Sequence, residues 1–135
     1  MRKGNNEEMS EFGEYLKNIR KERKITLRQV SDELKISISY LSDIETGTKL
    51  PPNSKSSEYS DYMDKIINYY KLSDDERVKL LELADKDLVE RGHVSNDISN
   101  YMGTTPMATV ALRKAKENNI SDEEWKKIID SMINK

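Results

Sequence analysis

The sequence predicts an all-α protein. Glycine and proline are scarce, with 5 and 3 residues in a chain of 135, while 36% of the residues are charged. This composition is typical of helical bundles and not of sandwiches or barrels, which need many turns. Apolar residues recur at helical spacing along the chain, and no segment shows the convincing alternation of a strand. Both observations favour helices throughout.

Three helix starts follow the capping-box pattern, in which glutamate or glutamine comes three residues after a hydroxyl residue. The pairs are Thr26 with Gln29, Ser73 with Glu76, and Ser121 with Glu124. The two side chains satisfy backbone N–H groups that the first turn of a helix leaves without partners. Ser37 and Ser95 are plain N-cap candidates, and Thr105 precedes a proline at the first helical position.

Eight helices follow from these starts and from the apolar spacing. They are predicted at residues 10–23, 27–34, 38–45, 59–71, 74–90, 96–102, 106–118 and 122–133. Gly47 is expected to end the third helix and Gly103 the sixth, because glycine adopts the left-handed C-cap conformation easily. Residues 51–58 form a clear loop. The predicted apolar stripe of the fifth helix consists of Val78, Leu81, Ala84 and Leu88.

The fourth helix is rich in tyrosine. Its tyrosines are Tyr59, Tyr62, Tyr69 and Tyr70. Such residues could stack on unpaired bases, as aromatic side chains do in proteins that bind single strands. Their spacing, together with Met63, Ile66 and Ile67, matches a half-buried helix face better, so we interpret them as packing residues.

Charge is unevenly distributed along the chain, although the net charge is only −2. Residues 16–55 contain nine basic and five acidic residues, whereas residues 56–135 contain twelve basic and sixteen acidic residues. A basic half beside an acidic half is typical of a protein with one nucleic-acid-binding face. A chance split would look the same, so charge alone leaves both interpretations open.

Several classes of protein are disfavoured. The chain has no cysteine, which excludes disulfides and thiolate metal sites and fits a reducing cytoplasm. No apolar run approaches the ~18 residues that a membrane span needs, and the first residues lack the apolar middle of a signal peptide. His93 is the single histidine, and we find no nucleophile–base set or phosphate loop. We therefore expect a cytoplasmic protein that is not an enzyme and needs no cofactor or metal.

The second and third predicted helices are joined by only three residues, 35–37. Two short helices with so short a turn cannot pack side by side, so they must cross steeply, as in a helix-turn-helix. Any small helical bundle can contain such a pair, and the spacing alone is therefore a moderate signal.

Residues 10–52 resemble, almost position by position, the lambda-repressor-like (XRE/Cro) helix-turn-helix family. The matching features are Leu16, Ile19, Arg20, Ser31, the turn residue Ile36, the Ser37 cap and the run from Tyr40 to Gly47. Residues 73–133 are more faintly similar to the C-terminal extension of some phage and mobile-element repressors. The resemblance implies a lambda-repressor-like bundle with a C-terminal helical extension. Its DNA-binding domain would be residues 10–72, with a dimerisation or partner-binding segment at 73–135.

The resemblance implies a transcriptional regulator, most simply a dimeric repressor, that inserts the helix at 38–45 into the major groove of double-stranded operator DNA. The implied base contacts are Ser37, Ile38, Ser39 and Asp43, to which Tyr40 and Ser42 are added. Short hydroxyl side chains can donate or accept at a base edge, and Ile38 can contact a thymine methyl. Ile38 also lies three residues before Leu41, so it could instead flank the core.

Contacts with the phosphate backbone are predicted for Lys17, Leu27, Arg28, Lys49 and Lys55. Leu27 stands where many relatives have a glutamine that bonds phosphate, and Arg28 beside it could substitute. Lysines on any solvated helix look similar, so these contacts have a plain alternative. Such contacts position a protein without carrying sequence information.

Arg20 and Glu45 match a pair that forms a structural salt bridge in the family, and we interpret them as scaffold.

The C-terminal segment supplies the candidate dimer surface, because a single helix-turn-helix reads few base pairs and two copies normally bind about one DNA turn (~34 Å) apart. Its clearest stripe consists of Trp125, Ile128, Ile129 and Met132. Trp125 could be an interface anchor or ordinary core. The segment could instead bind an antirepressor, a protease or a toxin, which would make the chain an antitoxin-type protein. A purely protein-binding adaptor is a third possibility.

Overall fold

The computed structural model describes residues 10–54 and 61–134 of the chain. Within these residues it contains eight helices and no strand. They are α1 (Glu11–Glu22), α2 (Leu27–Leu34), α3 (Ile38–Thr46), α4 (Tyr62–Tyr69), α5 (Asp74–Glu90), α6 (Asn96–Thr104), α7 (Pro106–Glu117) and α8 (Asp122–Ile133). The predicted all-α class is therefore confirmed.

Two compact units divide the chain, with the boundary between Ser99 and Asn100. Helices α1 to α5 lie in the first unit and α7 and α8 in the second, while α6 crosses the boundary. The functional division into residues 10–72 and 73–135 stays a prediction. In the structure, α5 belongs to the same compact unit as the helices that precede it. In the described part of the chain, no helix is long and apolar enough to cross a membrane.

The first unit is built around one core to which all five of its leading helices contribute. Helix α1 packs against α3 and α5, and α2 packs against α3 and α4. The clustered core side chains are Phe12, Leu16, Ile19, Val30, Ile36, Tyr40, Leu41, Ile44, Met63, Ile66, Ile67, Tyr70, Leu80 and Ala84. Helix α3 is thus held by α1 and α2.

Helix starts agree with the local sequence signals. The three predicted capping boxes are all present, at the starts of α2, α5 and α8. Ser37 caps α3 by accepting a hydrogen bond from the Tyr40 N–H at 3.1 Å. Ser95 behaves differently, because its hydroxyl donates to the Asp97 carboxylate at 2.7 Å. Thr105 precedes α7 without a side-chain cap bond.

Helix ends agree less well. Gly47 adopts the predicted left-handed C-cap conformation at φ 87°, and Lys35 ends α2 in the same region at φ 60°. The prediction that Gly103 ends the sixth helix is wrong, because α6 continues through it to Thr104. The following Thr105 precedes a proline, whose ring disfavours helical backbone in the residue before it. Its φ of −137° and ψ of 76° take the chain out of the helix.

The predicted stripe of α5 is partly wrong. Val78 is 48% exposed, whereas Leu80, Ala84 and Leu88 are fully buried. Helix α5 carries apolar residues on more than one side, so periodicity alone does not select its buried face. The small side chain of Ala84 at the centre of the observed face suits the packing of α5 against α1.

The tyrosines of α4 are packing residues wherever the structure describes them. Tyr70 is 2% exposed in the core, and Tyr62 and Tyr69 are partly buried against it. Burial, assisted by the negative charge of Glu45, raises the pKa of the Tyr70 hydroxyl well above its usual range. Tyr59 lies outside the described residues, as does the predicted start of this helix.

Two ion pairs involve α5. One joins it to α1, and the other joins it to Arg23, the residue that follows α1. Arg23 Nη2 lies 2.6 Å from Glu76 Oε1, and Lys86 Nζ lies 2.6 Å from Glu11 Oε1. Glu76 also accepts from the Ser73 backbone N–H at 2.9 Å. The hydrogen bond from the Ser73 N–H is the main cause that holds the pKa of Glu76 below its ordinary value of 4.5, and the hydrogen bond and charge of Arg23 add to it.

This lowered pKa makes the stability of the fold depend on pH. A carboxylate whose pKa is lower in the folded state stabilises the fold above its unfolded-state pKa. That contribution is lost as pH falls through the folded-state pKa. We expect wild type to be more stable than Glu76→Gln at neutral pH, and the difference to shrink below pH 4.5. Urea denaturation of both proteins across this range measures it.

Glutamine is the appropriate replacement because it also serves in a capping box, so the substitution removes mainly the charge. A difference in unfolding free energy that stayed constant from neutral pH to the acid range would contradict this role for Glu76.

Candidate DNA-binding surface

The turn before α3 sets the position of this helix. Lys35 ends α2 in the left-handed conformation, and its backbone N–H donates to the Ser31 carbonyl at 2.9 Å. Ile36 is 3% exposed and anchors the turn in the core. Ser37 then caps α3 while remaining exposed itself. Helix α3 therefore begins at the protein surface, directly after a buried turn residue.

Helix α3 has a buried side and an outward side, each running along its whole length. The buried residues are Tyr40, Leu41, Ile44 and Glu45. The outward residues, exposed or half-buried, are Ile38, Ser39, Ser42, Asp43 and Thr46. With 3.6 residues per turn, the two sets occupy separate halves of the helix surface. One continuous face of α3 is therefore available to a partner.

The predicted base contacts at the start of α3 lie on or beside this outward face. Ile38 is 38% exposed and is not a member of the core cluster. Ser39 is exposed, and Ser37 is exposed although its hydroxyl oxygen already accepts from the Tyr40 N–H. The structure brings these three side chains together at one end of the helix.

The remaining predicted base contacts differ in exposure. Ser42 and Asp43 are half-buried on the outward face. Tyr40 is 9% exposed and belongs to the core, so it offers little surface and its base contact stays a prediction. Sequence reasoning missed Thr46, which is exposed on the same face and donates to the Asp43 carbonyl at 3.2 Å. The helical period counted from Ser39 and Ser42 is a signal that could have found it.

The loop after α3 folds back towards the start of α1. A side chain at Gly47 would place its Cβ 3.0 Å from the backbone nitrogen of Ser10. The Lys49 N–H donates to the Asp43 carbonyl at 3.1 Å, which holds the loop beside the end of α3. Lys49 thus stands next to the outward face.

The predicted phosphate contacts are unequally placed. Arg28 and Lys49 are exposed and Lys17 is half-buried, and none of the three forms an ion pair with another described residue. The side chain of Leu27 is apolar and packs partly against the core. It has no polar group to offer a phosphate, so only the backbone of Leu27 can make the predicted contact. Lys55 lies outside the described residues.

Arg20 and Glu45 form a bidentate ion pair between α1 and α3. Arg20 Nε lies 2.7 Å from Glu45 Oε2, and Nη2 lies 3.0 Å from Oε1. The third nitrogen, Nη1, donates to the Ile25 carbonyl at 2.9 Å. The hydrogen bonds with Glu45 raise the pKa of the guanidinium. Both residues are buried, at 8% and 4% exposure, so the pair positions α3 and is not available to DNA.

A second contact between α1 and α3 was not foreseen from the sequence. The backbone of α3 approaches Gly13 so closely that a Cβ there would lie 2.2 Å from the Glu45 carbonyl oxygen. It would also lie 2.7 Å from the Ile44 carbonyl oxygen. The available signal was a glycine inside a predicted helix, which costs helix stability and often has a packing reason.

Comparison with known protein families matches residues 13–86 to a family described as a helix-turn-helix domain. The chain belongs to this family. The match covers more than half of the chain and includes most of α1, all of α2 to α4 and most of α5. Membership of a helix-turn-helix family supports a DNA-binding regulator, with DNA as its partner. No curated protein and no solved structure matches the chain.

This helix-turn-helix protein shows no arrangement suited to a metal ion in the residues that the structure describes, where no three His, Cys, Asp or Glu side chains cluster. Helix α3 presents an outward face of short side chains, and beside it stands Lys49, which forms no ion pair with another described residue. These are the features of a surface that contacts a nucleic acid.

Proposed function

We propose that this protein is a sequence-specific transcriptional regulator that acts as a dimeric repressor, of the type found in phages and mobile elements. Its α3 enters the major groove of an operator in its own promoter or in a mobile element. The observation that carries the proposal is the outward face of α3, where Ile38, Ser39 and Ser42 lie opposite a fully packed side. The short side chains allow the helix to approach base edges closely.

The outward face of α3 offers a limited chemistry for reading bases. The hydroxyls of Ser39 and Ser42 can donate or accept, Ile38 can contact a thymine methyl, and Asp43 can accept from a cytosine amine. Arginine, asparagine and glutamine are absent from α3, so it makes no bidentate contact with a base. Specificity then depends strongly on apolar contacts, DNA shape and the spacing of two half-sites.

The cations around α3 hold the protein on the phosphate backbone. Arg28 lies in the first turn of α2, Lys49 follows α3, and Lys17 lies on α1. Each contact with a phosphate displaces condensed counterions, so binding weakens as salt rises. Lys55 is retained as a further phosphate contact on the sequence argument alone.

The proposal is tested by titrating the full chain against the DNA upstream of its own gene and against a scrambled duplex, each at two salt concentrations. We expect Lys49→Ala to weaken binding to both duplexes and to reduce the slope of log K against log salt by about 1. Ser39→Ala should weaken binding to the upstream site alone, by roughly fivefold, because one hydrogen bond is worth about 1 kcal/mol.

Lys127→Ala is the matched control, because Lys127 is an exposed lysine of α8 in the other compact unit. It should bind both duplexes as wild type does. Equal affinity of wild type for the upstream and scrambled duplexes would exclude a sequence-specific regulator at this promoter. Binding that is unchanged by Ser39→Ala and Lys49→Ala would exclude α3 as the contact surface.

A further inference from the structure

We infer that the start of α6 contributes to DNA binding, because its backbone holds the loop after α3 in place. Ser95 and Asn96 are the positioning residues, and the side chain that they position is that of Lys49, the proposed phosphate contact. This role rests on the proposed function, since it states how one contact with DNA is kept in place. Both positioning residues lie beyond the helix-turn-helix match, which ends at residue 86.

The loop that follows α3, residues 48–54, is held at both of its ends. At the near end, the Lys49 N–H donates to the Asp43 carbonyl at 3.1 Å. The residues at the far end, each less than 2% exposed, are Pro51, Pro52 and Ser54. The exposed side chain of Lys49 therefore projects from a loop whose backbone is fixed on either side of it.

The far end of the loop is joined to the start of α6 by main-chain pairing. Ser54 and Ser95 form an isolated antiparallel β-bridge, and the Asn96 N–H donates to the Asn53 carbonyl at 2.8 Å. Ser54 is 0% exposed and Ser95 is 4% exposed, so water has little access to compete for this pairing. The bridge connects two segments that lie about 40 positions apart in the sequence.

Two prolines make the link between the bridge and Lys49 stiff. Three residues separate Lys49 from Asn53, and two of them are Pro51 and Pro52. A proline fixes its own φ angle and restricts the backbone of the residue before it. A displacement of Asn53 is therefore passed on to Lys49, because the segment between them has few backbone angles that can absorb it.

The start of α6 is itself anchored to α5, and this anchoring makes it a firm support. Gly92 turns the chain at φ 81°, and the His93 N–H donates to the Leu88 carbonyl at 2.7 Å. Arg91 donates through Nε and Nη2 to the two carboxylate oxygens of Asp87, each at 2.9 Å. Leu88 is 0% exposed, so the support for the loop extends from the buried face of α5.

The backbone donor can be removed by a single substitution, Asn96→Pro. Asn96 is the first residue of α6, where proline is tolerated because a helix leaves that N–H without an intrahelical partner. Helix α7 of the same chain begins with a proline at this position. The variant should therefore keep α6 and lose the hydrogen bond to Asn53. Asn96→Ala is the conservative variant, since it changes the side chain and keeps the N–H.

The role of the bridge is tested by titrating the full chain against its upstream duplex at two salt concentrations. We expect Asn96→Pro to weaken binding by about fivefold and to lower the slope of log K against log salt by about 1, as Lys49→Ala does. The double variant should bind no more weakly than Lys49→Ala alone, because both changes remove the same contact. Asn96→Ala should retain the affinity and the salt slope of wild type.

Asp122→Pro is the matched control, because it places a proline at the first position of α8 in the other compact unit. It should bind DNA as wild type does. An Asn96→Pro variant with the affinity and salt slope of wild type would overturn the inference. So would a loss of affinity that leaves the salt slope unchanged or adds to the loss in Lys49→Ala, since that is the result of general destabilisation.

Amide hydrogen exchange of wild type without DNA tests the bridge independently of DNA binding. The first N–H groups of a helix have no intrahelical partner, yet the Asn96 N–H should be protected by the Asn53 carbonyl. Exchange at Asn96 as fast as at Asp122, the first residue of α8, would refute the bridge. A protected Asn96 in a chain that binds no DNA supports the bridge and refutes the regulator. Specific binding to upstream DNA with an unprotected Asn96 supports the regulator and refutes the bridge.

Discussion

Replacing Gly13 with alanine is expected to lower the free energy of unfolding by about 3 kcal/mol, because overpacking a close contact displaces backbone that has no room to adjust. The added Cβ would lie 2.2 Å from the Glu45 carbonyl oxygen and 2.7 Å from the Ile44 carbonyl oxygen. Both obstacles are backbone atoms of α3, which cannot rotate away as the end of a side chain can. Urea denaturation followed by circular dichroism measures the loss.

Gly103→Ala is the matched control for this experiment. Gly103 also lies inside a helix, but a Cβ there would have no heavy atom within 4 Å. Alanine is favoured over glycine in a helix by about 0.5–1 kcal/mol, so this variant should be as stable as wild type or slightly more stable. Equal stability of Gly13→Ala and wild type would show that α1 does not pack against α3 at this distance.

Replacing Glu45 with leucine is expected to lower the free energy of unfolding by about 3–5 kcal/mol, because it leaves a buried charge without its counter-ion. The unpaired group is the Arg20 guanidinium, which gives two of its hydrogen bonds to Glu45 and a third to the Ile25 carbonyl. At 8% exposure it has little access to water in place of the carboxylate.

The double variant Arg20→Met with Glu45→Leu distinguishes loss of the pair from loss of packing. Replacing both members of a buried ion pair by apolar residues is often close to neutral, so most of the stability should return. The free energy of unfolding of the double variant should still be about 1 kcal/mol below that of wild type, because the Ile25 carbonyl loses its hydrogen-bond donor. A double variant no more stable than Glu45→Leu would mean that packing at these positions, and not the charge, is responsible.

Both substitutions act on the same feature, which is the seating of α3 against α1. Gly13 and Arg20 lie on α1 and not on the outward face of α3. Together they determine how far α3 lies from α1 and how α3 is rotated about its own axis. We therefore attribute the positioning of α3 to these buried contacts, and we propose that the side chains on the opposite half of α3 contact DNA.

The signals that predicted structure well from sequence are those carried by neighbouring residues. A capping box needs only two side chains three positions apart, and all three predicted boxes are present. Gly47 likewise ends α3 through its own backbone preference. The Arg20–Glu45 pair joins residues 25 positions apart, and only the family resemblance pointed to it.

The features that sequence reasoning missed depend on contacts between distant segments. Helix α5 has apolar residues on several sides, and its packing against α1 selected Leu80 over Val78 as buried. Gly103 has the same intrinsic freedom as Gly47, yet α6 continues through it and ends before a proline instead. Nothing near Gly13 in the sequence shows that the backbone of α3 lies against it.

Local sequence is sufficient to predict the all-α class, the helix starts, the short turn before α3 and the residues available on that helix, because these depend on interactions within a few positions. How closely α3 lies against α1 is set by the tertiary structure, since that distance depends on the close approach of the α3 backbone to Gly13 and on the Arg20–Glu45 pair.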